Sequence, residues 1–465
     1  MLQLLAIASA ALSVASSFAP AAEIAEASRA LRAQDFGAVA ERIRLDNVPG
    51  VPAWEGLESI ATAGVDEGDS EGCTSSAPVS GSASAGDLAD AAPSRQLNLL
   101  PGLMTEEEIC HLREIAFAEA RGFDDSTLDT VDHQATYLCQ VIEDGRPVDD
   151  AVCAALGPFL EGRLLPYVRQ KFGCASACVA NVLIRRYLPD ERRRLESHFD
   201  VSAFATAIVP LSPRDAYAGG LYVQRVPGVT SRRYLNLEAG DCLVHRFDTM
   251  HGVHVPAGNR YSLVVWFSDS PGSLASGKAP WVERAAAAGN SEAAFVLGGF
   301  YYRGEFGYAS DVGLAIRWLS RSASAGNPLA RLHIGSMLAS GEVPSEDLPW
   351  LWAEHWRVGD VAEGRIQGGE GDSEAAATVE QEGEGRKLDA EALAARLYAR
   401  AARQGHPSAE YAYGMALLYG QGVERDVTAG RRWLEKAASQ GEAEVMAAGW
   451  AADALRAADA AEAAK

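Results

Sequence analysis

The sequence predicts a multidomain chain: a roll of short β-strands with helices before it, then an α-helical solenoid of two-helix repeats. Three observations predict this. Between Val179 and Ser268, short runs of Val, Ile, Leu, Tyr and Phe are punctuated by Gly and Pro. Val182-Leu183-Ile184-Arg185-Arg186-Tyr187 and Ser262-Leu263-Val264-Val265-Trp266-Phe267 are two such runs, and the texture is that of a sandwich or jelly roll. After about Ala279 the chain turns Ala-rich with helical periodicity. That stretch also repeats: Trp281 lies 37 residues before Trp318, Gly289 lies 37 before Gly326, and Gly405 lies 36 before Gly441. A period of this length, with two helices and a Gly turn, makes a helical solenoid.

Composition narrows the function classes. The chain has 465 residues, and at ~150 residues per domain that is about three units. An apolar share of 48% supports a sizeable core. With 41 basic against 63 acidic residues the formal charge is -22, which argues against a nucleic-acid-binding role, since that needs a basic surface. Seven cysteines are too few for a disulfide scaffold and odd in number. Cys174-x-x-x-Cys178 lacks zinc-knuckle spacing, so the cysteines read as mostly buried apolar side chains.

In chain order, residues 1–17 read as a signal peptide. Leu2 to Val14 is apolar, Ala15-Ser16-Ser17 offers small residues for cleavage, and the first charge comes after residue 22. A short membrane anchor is the alternative, and Pro20 with many Ala and Ser makes it a poor span. The expected destination is the endoplasmic reticulum lumen. Ala15-Ser16-Ser17-Phe18-Ala19-Pro20 resembles the Phe-centred cleavage motif of bipartite plastid signals, so a plastid is the alternative. Residues 18–95 read as a variable region and linker, with Gly64 to Ser94 too poor in apolar groups to offset its ordering entropy. Residues 96–270 form the next expected domain. It opens with a strand and turn from Leu97 to Met104, then a helix with Thr105 as N-cap and three glutamates in its first turn.

The helical repeats are expected over 281–450. Gly420-Gln421-Gly422-Val423-Glu424-Arg425-Asp426, followed by Trp433 and Ala437-Ala438, resembles the SEL-one-like repeats, relatives of the tetratricopeptide family. Three copies and a partial fourth are visible. An acidic Gly/Glu-rich insertion at about 360–388 interrupts them.

The chemistry concentrates in Ser197-His198-Phe199-Asp200, then His251, then Arg260. On an extended strand, residues i and i+2 face one side, so His198 and Asp200 point at one ion. His251 then supplies a second imidazole from a distant strand. Two imidazoles and a carboxylate make a facial triad with open coordination positions, suited to Fe(II) oxygenase chemistry. His245 and His254 compete with His251 for that role. Arg260, nine residues on, is a planar fork for a carboxylate, and the Ser262 hydroxyl shares its face. Tyr187 either offers a hydroxyl to a cosubstrate or substrate or packs as a half-buried strand residue. Trp266 shares the parity of Arg260 and reads as core. Arg192-Arg193-Arg194 reads as a solvated loop, with attraction of an anionic cosubstrate as the alternative.

From Leu97 to Ser268 the chain resembles the Fe(II)- and 2-oxoglutarate-dependent dioxygenases of the prolyl 4-hydroxylase type. The words run in order: Arg186-Tyr187, His198-x-Asp200, Gly219-Gly220-Leu221-Tyr222, Gly240-Asp241-Cys242-Leu243 before His251, and Gly258-Asn259-Arg260-Tyr261-Ser262-Leu263. The resemblance implies a double-stranded β-helix that binds Fe(II) through His198, Asp200 and His251, and 2-oxoglutarate through Arg260, with ascorbate keeping the iron reduced. It implies hydroxylation of a protein side chain, 2-oxoglutarate being decarboxylated to succinate. Collagen-type prolyl hydroxylases usually place Lys where this chain has Arg260, while lysyl and oxygen-sensing prolyl hydroxylases use Arg, so the substrate residue stays open. The repeats are expected to recruit the protein substrate or an adaptor. The competing reading is a repeat-based scaffold with a catalytically silent oxygenase domain; a zinc hydrolase, the third, leaves Arg260 without a role.

Overall fold

The computed structural model describes residues 57–59, 97–116, 123, 135–224, 232–357, 389–440 and 445–463. The expected signal peptide, most of the linker and the acidic insertion lie outside the described residues. The chain divides into two compact units, the first running to Ala293 and the second continuing from Ala294.

The first unit holds two sheets. The larger has the order β1 (Leu57–Ser59), β2 (Leu97–Leu100), β10 (Cys242–Arg246), β7 (Ala205–Pro210), β12 (Arg260–Ser268), β5 (Cys178–Tyr187), β3 (Leu138–Glu143) and β4 (Arg146–Pro147). The smaller runs β6 (Arg194–His198), β11 (His251–His254), β8 (Gly220–Val223) and β9 (Arg233–Tyr234). All pairings are antiparallel except β1 on β2. Central β7 is buried along its whole length, which fits its small and β-branched residues. One apolar cluster joins the two sheets: Leu97, Tyr187, Ile208 and Leu243 from the larger, and Leu195, Leu221, Val223 and Val253 from the smaller. The strands read from Val179 onward are in place.

Helices flank the roll on its N-terminal side, as expected. In Glu106–Ala116 the Thr105 hydroxyl accepts from Glu108 N (3.2 Å) and the Glu108 carboxylate from Thr105 N (2.9 Å), a reciprocal cap that satisfies two donors. Glu108 also pairs with Arg163, which sits on the π-helical turn Leu160–Leu164 linking the helices Asp150–Phe159 and Leu165–Lys171.

Among the described residues the regular elements of the second unit are helices: Val312–Ser324, Pro328–Ala339, Leu348–Arg357, Ala390–Arg403, Pro407–Tyr419, Val427–Ala438 and Val445–Ala463, preceded by Ser291–Arg303, which begins at the end of the first unit. Asp311, Asn327, Asp389 and Asp426 each cap a helix, their side-chain oxygens accepting from Leu314 N, Ala330 N, Ala392 N and Ala429 N. Small residues let neighbouring helices approach: Gly414 lies under Leu434, and Gly335 under the Tyr398 ring.

Three expectations need correction. Only Cys242 of the six described cysteines is buried; Cys110 is exposed and the other four are half-buried, and no disulfide joins them. Cys110 and Cys153 fall on helices with one face to solvent, where residue type did not decide burial. Trp266 is half-buried rather than core, like Val264 two residues before it on the same face of β12, where the alternate residues Leu263, Val265 and Phe267 carry the burial. Asp200 is not on the strand: β6 ends at His198, and Asp200 opens a turn closed by Ala203 N on its carbonyl (2.9 Å).

Candidate metal centre

The smaller sheet brings the distant histidines together through its register. His251 stands opposite His198 on one side and Val223 on the other, so all three side chains leave the sheet on one face. Val223 belongs to the apolar cluster between the sheets, so that face is the interior one. The turn after β6 then carries Asp200 beneath both rings. His198 Nε2 lies 3.3 Å from Asp200 Oδ1, and His251 Nε2 lies 3.6 Å from Asp200 Oδ2. One donor atom from each of the three residues lies within 4.8 Å of the others. It is the one such group among the described residues.

What surrounds these donors fixes their chemical form. His198 Nδ1 donates to the Glu196 carbonyl at 2.8 Å and His251 Nδ1 to the Thr249 carbonyl at 3.0 Å. Each ring's proton is therefore committed outward and its Nε2 lone pair is turned toward the carboxylate, as a neutral imidazole ligand requires. Thr206 donates to Asp200 Oδ2 at 2.7 Å. Burial alone would raise the Asp200 carboxyl, but the imidazoles of His251 and His198 outweigh it and hold it well below the usual carboxylate range. Burial also pushes His251 down to about 3. A carboxylate facing the Nε2 atoms of two imidazoles fits a divalent metal ion.

Arg260 lies on the central strand of the larger sheet, directly opposite Tyr187 of β5, and is 1% exposed. Its Nη1 donates to Ser262 Oγ at 3.1 Å. Its guanidinium carbon sits 5.8 Å from the Tyr187 ring centre and 5.9 Å from that of Tyr217. Nε is buried with no hydrogen-bond partner, and among the described residues no carboxylate pairs with the group. A buried cation without its anion is costly, so the pocket is suited to an incoming carboxylate. Tyr217 is seated by Gly258, whose φ is +81° and whose added Cβ would overlap the Ala216 carbonyl.

The structure thus brings His198, Asp200 and His251 together, and gathers Arg260, Ser262 and Tyr187 on one side of the facing sheet. Tyr187 is 1% exposed rather than half-buried, with its ring centre 5.8 Å from the Arg260 guanidinium carbon. His245, buried in β10, packs against His251 with ring centres 4.4 Å apart and planes tilted by 56° but is outside the donor group. His254 bonds Tyr234 at 3.1 Å. Arg192 and Arg193 are partly buried and donate to the carbonyls of Arg194 (2.6 Å) and Val255 (3.0 Å), so they tie down the entry to β6. Thr206 and Tyr217 were not foreseen, because neither stands at a spacing that marks a site.

The Sel1 repeat model matches residues 291–327, 376–406 and 407–442. The C-terminal region carries Sel1 repeats. No curated protein matches the chain. Among solved structures, a Sel1 repeat protein from Oxalobacter formigenes is 28% identical, covering 34% of this chain and 87% of that one, with a TM-score of 0.24. A 2OG-Fe(II) oxygenase family oxidoreductase from Burkholderia pseudomallei is 20% identical over 37% of this chain and 85% of that one, TM-score 0.31. A prolyl-4-hydroxylase from Pseudomonas putida is 18% identical over 37% and 91%, TM-score 0.28.

Proposed function

We propose that the protein is an Fe(II)- and 2-oxoglutarate-dependent dioxygenase that hydroxylates a protein side chain, with its helical repeats recruiting the substrate or an adaptor. The observation that carries this reading is the donor group of His198, Asp200 and His251 in one roll with a buried, anion-free Arg260. Three protein ligands on one face leave the remaining coordination positions open. Bound iron would supply dioxygen activation coupled to oxidative decarboxylation of 2-oxoglutarate to succinate, with ascorbate as reductant.

The chain's own residues do the rest. His198 and His251 offer Nε2, each oriented by a backbone carbonyl behind it. Asp200 keeps one negative charge in place, held by Thr206. Arg260 takes the carboxylate of 2-oxoglutarate remote from the keto acid, Ser262 fixes the guanidinium fork, and the Tyr187 and Tyr217 rings wall the pocket against water. The Sel1 repeats, like other solenoids, offer an extended surface for a protein. Among the described residues no helix is long and apolar enough to cross a membrane. We also propose entry into the secretory pathway, with a plastid as the alternative destination.

The test is succinate formation from 2-oxoglutarate by the purified full chain with Fe(II) and ascorbate. Formation that disappears in Asp200→Ala supports the reading. Parent protein that is folded and iron-loaded yet forms none would leave the scaffold role of the repeats standing.

A further inference from the structure

The first unit does not stop where the strands stop. After β12 the chain forms the helices Pro271–Ser276 and Pro280–Ala287 and reaches Asn290, all within that unit. Trp281 packs edge-on against Phe204, ring centres 6.2 Å apart, and Phe204 lies four residues after Asp200. Asn290 is fully buried and faces two ways. Its Oδ1 accepts from Ala293 N at 2.9 Å, capping Ser291–Arg303. Its Nδ2 donates to Asp248 Oδ2 at 2.7 Å.

Asp248 is the third residue of a tight turn between β10 and β11, closed by Thr249 N on the Arg246 carbonyl at 3.2 Å. The next carbonyl, that of Thr249, is the one that accepts from His251 Nδ1. Two buried hydrogen bonds, joined by the backbone of the turn between Asp248 and Thr249, therefore connect Asn290 at the start of Ser291–Arg303 to the imidazole of His251. Only an amide serves both ends: a carboxylate would cap the helix but repel Asp248, and a serine would cap it without reaching.

We propose that Asn290 is a positioning residue for the metal centre, holding through Asp248 the turn that orients His251. This rests on the reading of His198, Asp200 and His251 as metal ligands. Carbonyls and carboxylates behind a ligating histidine commonly change metal affinity about 10- to 100-fold when lost, and Asn290 acts one step further out. Asn327 occupies the corresponding place 37 residues on and caps its helix through the same oxygen, accepting from Ala330 N at 3.1 Å; it serves as the control for capping alone.

The experiment titrates Co(II) into the metal-free full chain and follows the visible absorption of the bound ion, with a thermal melt of each variant. Asn290→Ser keeps the cap and should weaken Co(II) binding about tenfold; Asn290→Asp should weaken it further. Asp248→Ala removes the acceptor for Asn290 and should weaken Co(II) binding about as much as Asn290→Ser. The double variant Asn290→Asp with Asp248→Asn reverses donor and acceptor and should recover most of the loss. Asn327→Ala should lower the melting temperature without changing Co(II) affinity. Folded Asn290→Ser that binds as tightly as the parent overturns the proposal and leaves the metal reading intact. A parent that takes up no Co(II) overturns the metal reading, and this inference with it.

Discussion

The roll and the helical array both bury histidine, and they do so to opposite ends. In the array, His333 packs between the Phe295 and Tyr302 rings, with centres 6.4 and 5.1 Å away. His355 bonds Ser320 at 2.7 Å, and His406 is buried with neither ring nitrogen partnered among the described residues. Burial pushes all three down to about 4, much as it pushes His251 down to about 3. A depressed imidazole therefore does not mark a site in this molecule. What distinguishes the roll is convergence: two rings with their protons committed to backbone carbonyls turn their free nitrogens on one carboxylate.

The largest effect should come from breaking the convergence itself. His251→Ala or Asp200→Ala should reduce Fe(II)-dependent 2-oxoglutarate binding at least 100-fold, measured by anaerobic calorimetry, while His355→Asn in the array should leave it unchanged. An equal loss in His355→Asn would erase the distinction between the two regions. Next in size is Arg260→Leu. Truncating one partner of a buried charged contact costs about 2–5 kcal/mol, so 2-oxoglutarate should bind about 30-fold or more weakly while Co(II) affinity stays within about twofold. Arg260→Lys should fall between.

The third prediction concerns pH. His251, His333, His355 and His406 resist protonation when folded, whereas the unfolded chain takes protons near pH 6.5. Their contribution to stability is full above that pH and is lost as pH falls toward about 4 for the array histidines and about 3 for His251. Urea midpoints should therefore drop from pH 7.5 to pH 5. A flat profile would contradict the buried neutral assignment. The smallest effect belongs to His406, the N-cap of Pro407–Tyr419 without a capping bond. His406→Asn should supply the bond that Asn290 and Asn327 make, adding about 1 kcal/mol to the stability of the helical unit in a thermal melt, with no change in metal affinity.

Much of this was legible in the sequence because it is local or periodic. The repeat period exposed the helical array, and the order and spacing of short motifs exposed His198, Asp200, His251 and Arg260. Contacts between residues far apart in sequence left no such trace. Asp248 and Asn290 are 42 residues apart, and nothing in either neighbourhood announces the other. Thr206 looks like any strand threonine until the turn after β6 folds Asp200 onto it. The β3–β4 hairpin did carry a signal, Asp144-Gly145, both at positive φ (46° and 74°), the turn chemistry that matches strand twist. The cysteines misled because a residue type's usual burial is overridden by which face of a helix it occupies.

The most direct measurement is the anaerobic visible spectrum of the full chain with Fe(II) and 2-oxoglutarate, beside His198→Ala. A metal-to-ligand charge-transfer band that the variant lacks is the predicted result, for it requires the keto acid to chelate an iron held by this triad. Folded, iron-loaded parent protein without the band would contradict the oxygenase reading of the roll.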